Sequence, residues 1–271
     1  MVNPSEVIPF SPSVPVIAPE PVALQIRNLT RRFGDFIAVN NLNLEVRRGS
    51  FFGFLGPNGA GKSTTIKMLT GLLAPTDGQI ELLGHDLTAN SITVKRLIGV
   101  VPEDLNLFDR LTGAEYLTFV GRMHELERHM IAERTAELLH VMELEDKPKS
   151  LLIEYSHGMR KKISLAAALL HNPQMLFLDE PFEGVDAVAS RTIKNLLERM
   201  RERGVTIFLT SHILEIVERL CTDIAIINHG RIIAAGRLDE LHAQAGTNLE
   251  EYFVNLVGGE RRLTDTLSWI G

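Results

Sequence analysis

Residues 56–64 read Gly56-Pro57-Asn58-Gly59-Ala60-Gly61-Lys62-Ser63-Thr64. Gly56, Gly61, Lys62 and Ser63 meet the spacing G-x-x-x-x-G-K-[ST] of a phosphate-cradling loop. The apolar run Phe51 to Leu55 precedes it and reads as a buried strand, and Ser63 to Leu73 reads as a helix. In such a turn the glycines let backbone N–H groups point inward onto phosphate oxygens. The start of the following helix adds the positive end of its dipole. Lys62 is then placed to bridge β- and γ-phosphates, and Ser63 to ligate Mg²⁺. The bland alternative is a glycine-rich turn between strand and helix.

A second signal lies downstream. Met175-Leu176-Phe177-Leu178 runs straight into Asp179-Glu180. Four apolar residues bury a short strand, and two carboxylates leave its C-terminal end, where ligands bind in open α/β sheets. Asp179 suits a Mg²⁺ shell, and Glu180 suits polarising an attacking water. Standing alone, the pair reads equally well as two solvated acids closing a strand.

The rest of the chain alternates short apolar runs with helical patterns. Residues 111–146 have helical period, with Leu117, Val120, Leu126, Ile131, Leu138 and Val141 expected to face inward. Ile163 to Leu170 is a further helical piece. Ile193, Leu196, Leu197 and Met200 recur at helical spacing before the stop Gly204. Val205 to Thr210 reads as another buried strand. Ile224 to Ile227 and Ile232 to Ala235 flank Asn228-His229-Gly230-Arg231, a hairpin signal. Strand–helix alternation predicts an α/β fold with a mostly parallel sheet. The helical block between about 103 and 170 looks inserted.

Composition narrows the function. The 271 residues are 45% hydrophobic and 23% charged, as in an average soluble domain, so a normal core is available. The formal charge of −6 disfavours a protein that holds nucleic acid through its overall charge. Cys221 is the single cysteine, which rules out an internal disulfide and suits a reducing compartment. No apolar stretch reaches the roughly 20 residues of a membrane span. Residues 1–22 hold six of the twelve prolines and no Lys or Arg. They read as a flexible, partly extended arm, not as a secretory signal.

The loop, the acidic pair, Tyr155-Ser156-His157-Gly158-Met159 and Thr210-Ser211-His212 form an ordered set. In this order and spacing they resemble the ATP-binding cassette of ABC transporters, and more finely the stand-alone ATPase subunits of bacterial exporters. The resemblance spans about 24–245. It implies a P-loop NTPase core with a mostly parallel sheet, a small antiparallel β subdomain and an inserted α-helical subdomain. The cassette then occupies 23–245, between the arm and a 246–271 tail.

Site roles follow from the same resemblance. Pro57, Asn58, Gly59, Ala60 and Thr64 complete the phosphate loop. Ser156 and Gly158 stand in the family's signature motif, usually LSGGQ, with Ser156 facing the γ-phosphate held by a partner protomer. Residues 155, 157 and 159 depart from that consensus. Locally, Ser156 is simply a good helix N-cap. His212 resembles the switch histidine, and Asp186 the D-loop aspartate that contacts the other protomer. Phe33 takes the adenine-stacking place, with Phe36 as a rival. Glu103 stands where the family usually has glutamine and would touch metal and water, adding a charge near the γ-phosphate. Residues 105–111 either help form the groove for a membrane subunit or pack inside the helical block through Leu107, Phe108 and Leu111.

The resemblance implies an ATP- and Mg²⁺-dependent hydrolase working as a dimer, two copies of this chain being enough. A separate integral membrane permease would carry the substrate, and export is the expected direction. The subunit would lie in the cytoplasm, peripheral on the inner face of the plasma membrane. A soluble cassette acting on nucleic acid or the ribosome is the competing reading. It is disfavoured by the single cassette, the absence of a long insertion and the acidic charge. A binding module without turnover is disfavoured because Glu180 and His212 are both present. In the tail, Leu249 to Leu256 reads as a short amphipathic helix. Trp269 is the only tryptophan, and Arg261-Arg262 is too short for a membrane patch.

Overall fold

A computed structural model describes residues 21–245 and 249–258. In chain order the elements are β1 (Val22–Phe33), β2 (Phe36–Arg47), β3 (Phe51–Leu55), α1 (Lys62–Leu69), β4 (Asp77–Leu82), β5 (His85–Asp86), α2 (Ser91–Leu97) and β6 (Ile98–Val101). Then follow α3 (Gly113–Met123), α4 (Arg128–Val141), α5 (His157–Leu169), β7 (Met175–Asp179), α6 (Ala187–Glu202) and β8 (Thr206–Ser211). The described chain closes with α7 (Leu214–Leu220), β9 (Asp223–Asn228), β10 (Arg231–Arg237), α8 (Leu238–Ala245) and α9 (Leu249–Val257).

Two sheets form. One is antiparallel, ordered β2-β1-β4-β5; the other is ordered β10-β9-β3-β8-β7-β6. In the second, β9, β3, β8, β7 and β6 pair in parallel and only β10 is antiparallel. The short runs at β3, β7 and β8 are buried at every position. That is expected of parallel strands covered on both faces. Because side chains alternate across a strand, each feeds two cores. Phe51, Leu55, Leu176, Leu178, Ile207 and Leu209 pack with α5, α6 and α7. Phe52, Phe54, Phe177 and Phe208 pack with α1 and the antiparallel sheet. Phe208 is the hub of this second core, with ring centroids 5.4 Å from Phe52, 5.4 Å from Phe54 and 5.6 Å from Phe177.

Local signals set the helix ends. Thr112 and Glu115 form a reciprocal capping box that starts α3. The Asp186 carboxylate accepts from the N–H groups of Val188 and Ala189 to start α6. The β9–β10 turn has positive φ at His229 and Gly230, the pattern of a two-residue hairpin that matches strand twist.

Several expectations need correction. The helix after the phosphate loop ends at Leu69 rather than running to Leu73, because Gly71 turns left-handed at φ 68°. The helical stretch 111–146 is two helices, broken around Glu125 at φ 59°. Val141 lies at the end of α4 and is exposed, whereas Leu117 and Ile131 are buried as expected. β1 begins at Val22, within the stretch read as an arm, and the Pro21 carbonyl accepts from the Arg48 N–H. Residues 1–20 of the arm, Trp269 and Arg261-Arg262 lie outside the described residues. Among the described residues no helix is long and apolar enough to cross a membrane.

Phe208→Ala should cost about 3–5 kcal/mol, since it empties the centre of a four-ring cluster. Urea unfolding measures this, and a loss below about 1 kcal/mol would contradict the packing described.

Candidate functional site

The parallel order places the C-terminal ends of β3, β8 and β7 side by side. From β3 comes the phosphate loop, from β7 the acidic pair, and from β8 Thr210 and Ser211 with His212 following. The loop's glycines are required by close approach at two positions. A Cβ on Gly56 would meet the Ile227 carbonyl oxygen, and one on Gly61 would lie 2.7 Å from the Ala38 carbonyl oxygen. Gly61 also has φ 109°, which bulky residues avoid.

A cleft of about 450 Å³ opens here. Its lining includes Pro57, Asn58, Gly59, Gly61, Lys62, Ser63, Thr64, Glu103, Glu180 and His212. Lys62 is 6% exposed and donates to the carbonyls of Gly56 at 2.8 Å and Pro57 at 3.4 Å. Its Nζ lies 3.6 Å from Glu180 Oε1. The other Glu180 oxygen, Oε2, is 3.0 Å from His212 Nδ1 and accepts from the His212 backbone N–H at 3.3 Å. One buried carboxylate is thus held between the loop lysine and the histidine. Its backbone sits at φ 47°, a strained setting for a non-glycine residue and one that recurs at functional sites.

Asp179 is 3% exposed. Burial pushes its carboxyl above the ordinary aspartate range, while hydrogen bonds from Thr210 and Ser63 pull the other way. Thr210 Oγ1 donates to Asp179 Oδ1 at 2.5 Å and accepts from the Glu180 N–H at 3.0 Å. Ser63 Oγ donates to Glu103 Oε2 at 3.1 Å. Ser63, Glu103 and Asp179 therefore converge as a hydroxyl and two carboxylates. That all-oxygen set suits a hard divalent cation, which takes one or two protein carboxylates and completes its shell with phosphate and water. Among the described residues there is no cluster of three or more His, Cys, Asp or Glu able to hold a metal unaided. A Mg²⁺ shared with a phosphate ligand fits this donor set.

Other expected residues lie elsewhere. Ser156, Gly158 and Asp186 are absent from the cleft lining. They form a second patch. Ser156 Oγ accepts from the Met159 N–H as the α5 cap, and a Cβ on Gly158 would come 3.1 Å from Asp186 Oδ2. His157 Nε2 is 3.1 Å from the Glu183 carbonyl oxygen, which ties this helix start to the 183–186 loop. Backbone hydrogen bonds, chiefly from Ala189, hold the Asp186 carboxyl below its usual range, offset in part by desolvation. Phe36 lines the cleft, while Phe33 pairs with it across the β1–β2 hairpin and carries the Arg31 guanidinium 4.6 Å from its ring centre. Phe108 packs edge-on to Phe119 with centroids 5.0 Å apart and remains exposed, so it does not enter the helical core.

Sequence reasoning missed three contributors. Thr210 braces both acids, and a hydroxyl closing a buried strand beside His212 was the available signal. Glu183 lines the cleft. Lys161, 2% exposed on α5, has its ammonium pushed below the usual lysine value by burial, while Glu183, Asp179, Glu103 and Glu180 pull upward.

The fold and site define a P-loop α/β protein built to cradle a phosphate chain beside a buried acidic pair. The sequence model of the family described as "ABC transporter" matches residues 39–183. The chain belongs to the ABC transporter family. It is 39% identical over 231 residues to Nod factor export ATP-binding protein I of Cupriavidus metallidurans, covering 85% of this chain and 76% of that one. It is 38% identical over 227 residues to the daunorubicin/doxorubicin resistance ATP-binding protein DrrA of Streptomyces peucetius, covering 84% and 69%. A solved ATP-binding subunit of an ABC transporter superposes with TM-score 0.81 at 32% identity, over 86% of this chain and 99% of that one. The dimeric bacterial ABC transporter cassette MJ0796 superposes with TM-score 0.74 at 25% identity, over 79% and 98%.

With its folded pKa raised, Asp179 contributes stability fully present below the ordinary aspartate value, about 4, and lost as pH rises through the folded value. Asp179→Asn removes that loss. In EDTA without nucleotide, the melting temperature of the variant relative to the parent should climb as pH rises from about 4 towards neutrality. A difference that stays flat or falls with pH would contradict the assignment.

Proposed function

We propose that this chain is the ATP-binding and hydrolysing subunit of an ABC transporter, driving export of a substrate through a separate integral membrane permease. The observation that carries this reading is Glu180, buried between Lys62 and His212 at the mouth of the phosphate loop. A carboxylate so placed can take the proton of a water attacking the γ-phosphorus, with ADP as the leaving group. His212 holds the Glu180 carboxylate and offers an exposed imidazole to the same water or to the γ-phosphate. Lys62 and the inward N–H groups of 56–64 bind the phosphates. Ser63, Asp179 and Glu103 would hold Mg²⁺, which neutralises charge on the β- and γ-phosphate oxygens when bound. Phe36 or Phe33 offers an aromatic face to adenine at the outer end of the cleft.

Half of a site then lies outside the cleft lining. Ser156 at the start of α5, Gly158 and Asp186 lie together and point to no ligand of their own chain. This supports a two-copy assembly in which each patch covers the other protomer's nucleotide. The dimeric relative MJ0796 supports the same arrangement. Binding of ATP would join the copies and hydrolysis would release them, a movement able to work an attached permease. Relatives named for Nod factor export and for daunorubicin/doxorubicin resistance support the outward direction. The acidic net charge supports a protein rather than a nucleic-acid partner. We place the subunit on the cytoplasmic face of the plasma membrane, with the cassette over 23–245, its helical subdomain over about 103–170, and an arm and tail outside.

Glu180→Gln should keep ATP affinity and slow phosphate release about 10²–10⁴-fold. Lys62→Ala should weaken nucleotide binding roughly ten- to a hundredfold, the worth of a lost charged hydrogen bond. Titration with a fluorescent nucleotide and a phosphate-release assay read both. Undiminished turnover in either variant would refute the role given to that residue.

A further inference from the structure

Lys161 lies on α5, in the inserted helical block, yet its side chain reaches the core. Its Nζ donates to the backbone carbonyl of Glu180 at 3.1 Å and to the backbone carbonyl of Glu103 at 3.3 Å. The residue is 2% exposed. A lysine so deeply buried is rare and survives only where its donors find acceptors. The two carbonyls belong to the two segments that matter most. Glu180 follows β7 and has φ 47°, a strained conformation that surrounding contacts must hold in place. Glu103 follows β6 and accepts from Ser63 of the phosphate loop. One ammonium group from the helical block therefore pins the main chain of both, 19 and 58 residues away in sequence.

We propose that Lys161 is a positioning residue for hydrolysis, setting the main-chain angle of Glu180 and tying it to the Glu103 loop, so that displacement of the helical block is felt at the attacking water. It touches neither nucleotide nor water itself. The inference rests on Glu180 being the proton acceptor. Neighbouring basic residues do different work. Lys162 Nζ pairs instead with Glu143 Oε2 at 2.8 Å. Arg160 donates to Asp109 at 3.0 Å, to the Leu152 carbonyl at 2.9 Å and to the Leu105 carbonyl at 3.3 Å, so it holds the chain just beyond Glu103 but does not reach β7. Of this run of three, only Lys161 is hydrogen-bonded to Glu103 and Glu180 themselves.

The test compares Lys161→Met, which keeps the stem and loses the donors, with Lys161→Arg, which restores donors and charge. In the full chain at saturating ATP and Mg²⁺, Lys161→Met should lose about tenfold or more in kcat. KM and nucleotide affinity should stay within about twofold, the pattern of an interaction needed only in the transition state. Lys161→Arg should regain most of kcat. Thermal melting shows whether each variant is folded, and Lys161→Gln replaces Met if that variant is not. A folded Met or Gln variant with kcat within about twofold of the parent overturns the proposal. So does a loss in which affinity falls together with kcat and Arg restores nothing, since that marks a general structural role. Glu180→Gln is run alongside. If it turns over normally the hydrolysis reading fails, whereas a dead Glu180→Gln beside an active Lys161→Met sinks only the role of Lys161.

Discussion

Two adjacent carboxylates leave one strand end and are taken almost entirely out of water. Asp179 is 3% exposed and Glu180 5%. Such a pair is costly unless each oxygen finds a donor or a counter-charge, and the neighbouring elements answer that demand. Thr210 of β8 braces Asp179 and the Glu180 amide. Lys62 from the loop after β3 and His212 after β8 flank the Glu180 carboxylate. Lys161 reaches in from α5 to the Glu180 carbonyl. The strand order β3-β8-β7 is what makes these partners neighbours. The parallel sheet, the buried phenylalanine hub beneath it and the inserted helices therefore serve one arrangement of charge.

How much of this was legible depends on whether a feature is local. The phosphate loop and the Asp179-Glu180 pair are consecutive residues following short apolar strands, and both lie where the sequence places them. Ser156 was readable as an N-cap and is one, because capping is decided within four residues. The long strands β1 and β2 alternate cleanly only over short stretches, Leu24 to Arg27 and Leu42 to Val46. Their pairing shifts register repeatedly around Asn28, Thr30 and Arg31, and polar residues interrupt the pattern. Lys161 was invisible for another reason. A lysine in a helical stretch reads as solvent-facing, and its burial comes from contacts far along the chain. The choice between Phe33 and Phe36 hangs on hairpin register, which puts Phe36 into the cleft lining and gives Phe33 to Arg31. Val141 followed the helical period but is the last residue of α4 and is left exposed.

The geometry also separates what one copy can do from what two must do together. The cleft carries a phosphate loop, an oxygen set that suits a cation, a buried carboxylate and a histidine. The Ser156–Gly158–Asp186 patch carries a helix start and a carboxylate, and none of the three lines that cleft. A hydrogen-bond contact between His157 and the Glu183 carbonyl ties the two parts of the patch together. In the reading advanced here, catalytic competence needs both halves, and the join exists only while a γ-phosphate bridges them. The Lys161 link then gives the helical block a mechanical hold on the hydrolytic water.

The most direct measurement of that account is a crystal structure of the hydrolysis-blocked Glu180→Gln chain with ATP and Mg²⁺. The account predicts two copies enclosing two nucleotides, with Ser156 Oγ of each within hydrogen-bond reach of a γ-phosphate seated on the other's Lys62. A nucleotide enclosed by a single copy, with Ser156 remote from every phosphate, would contradict it.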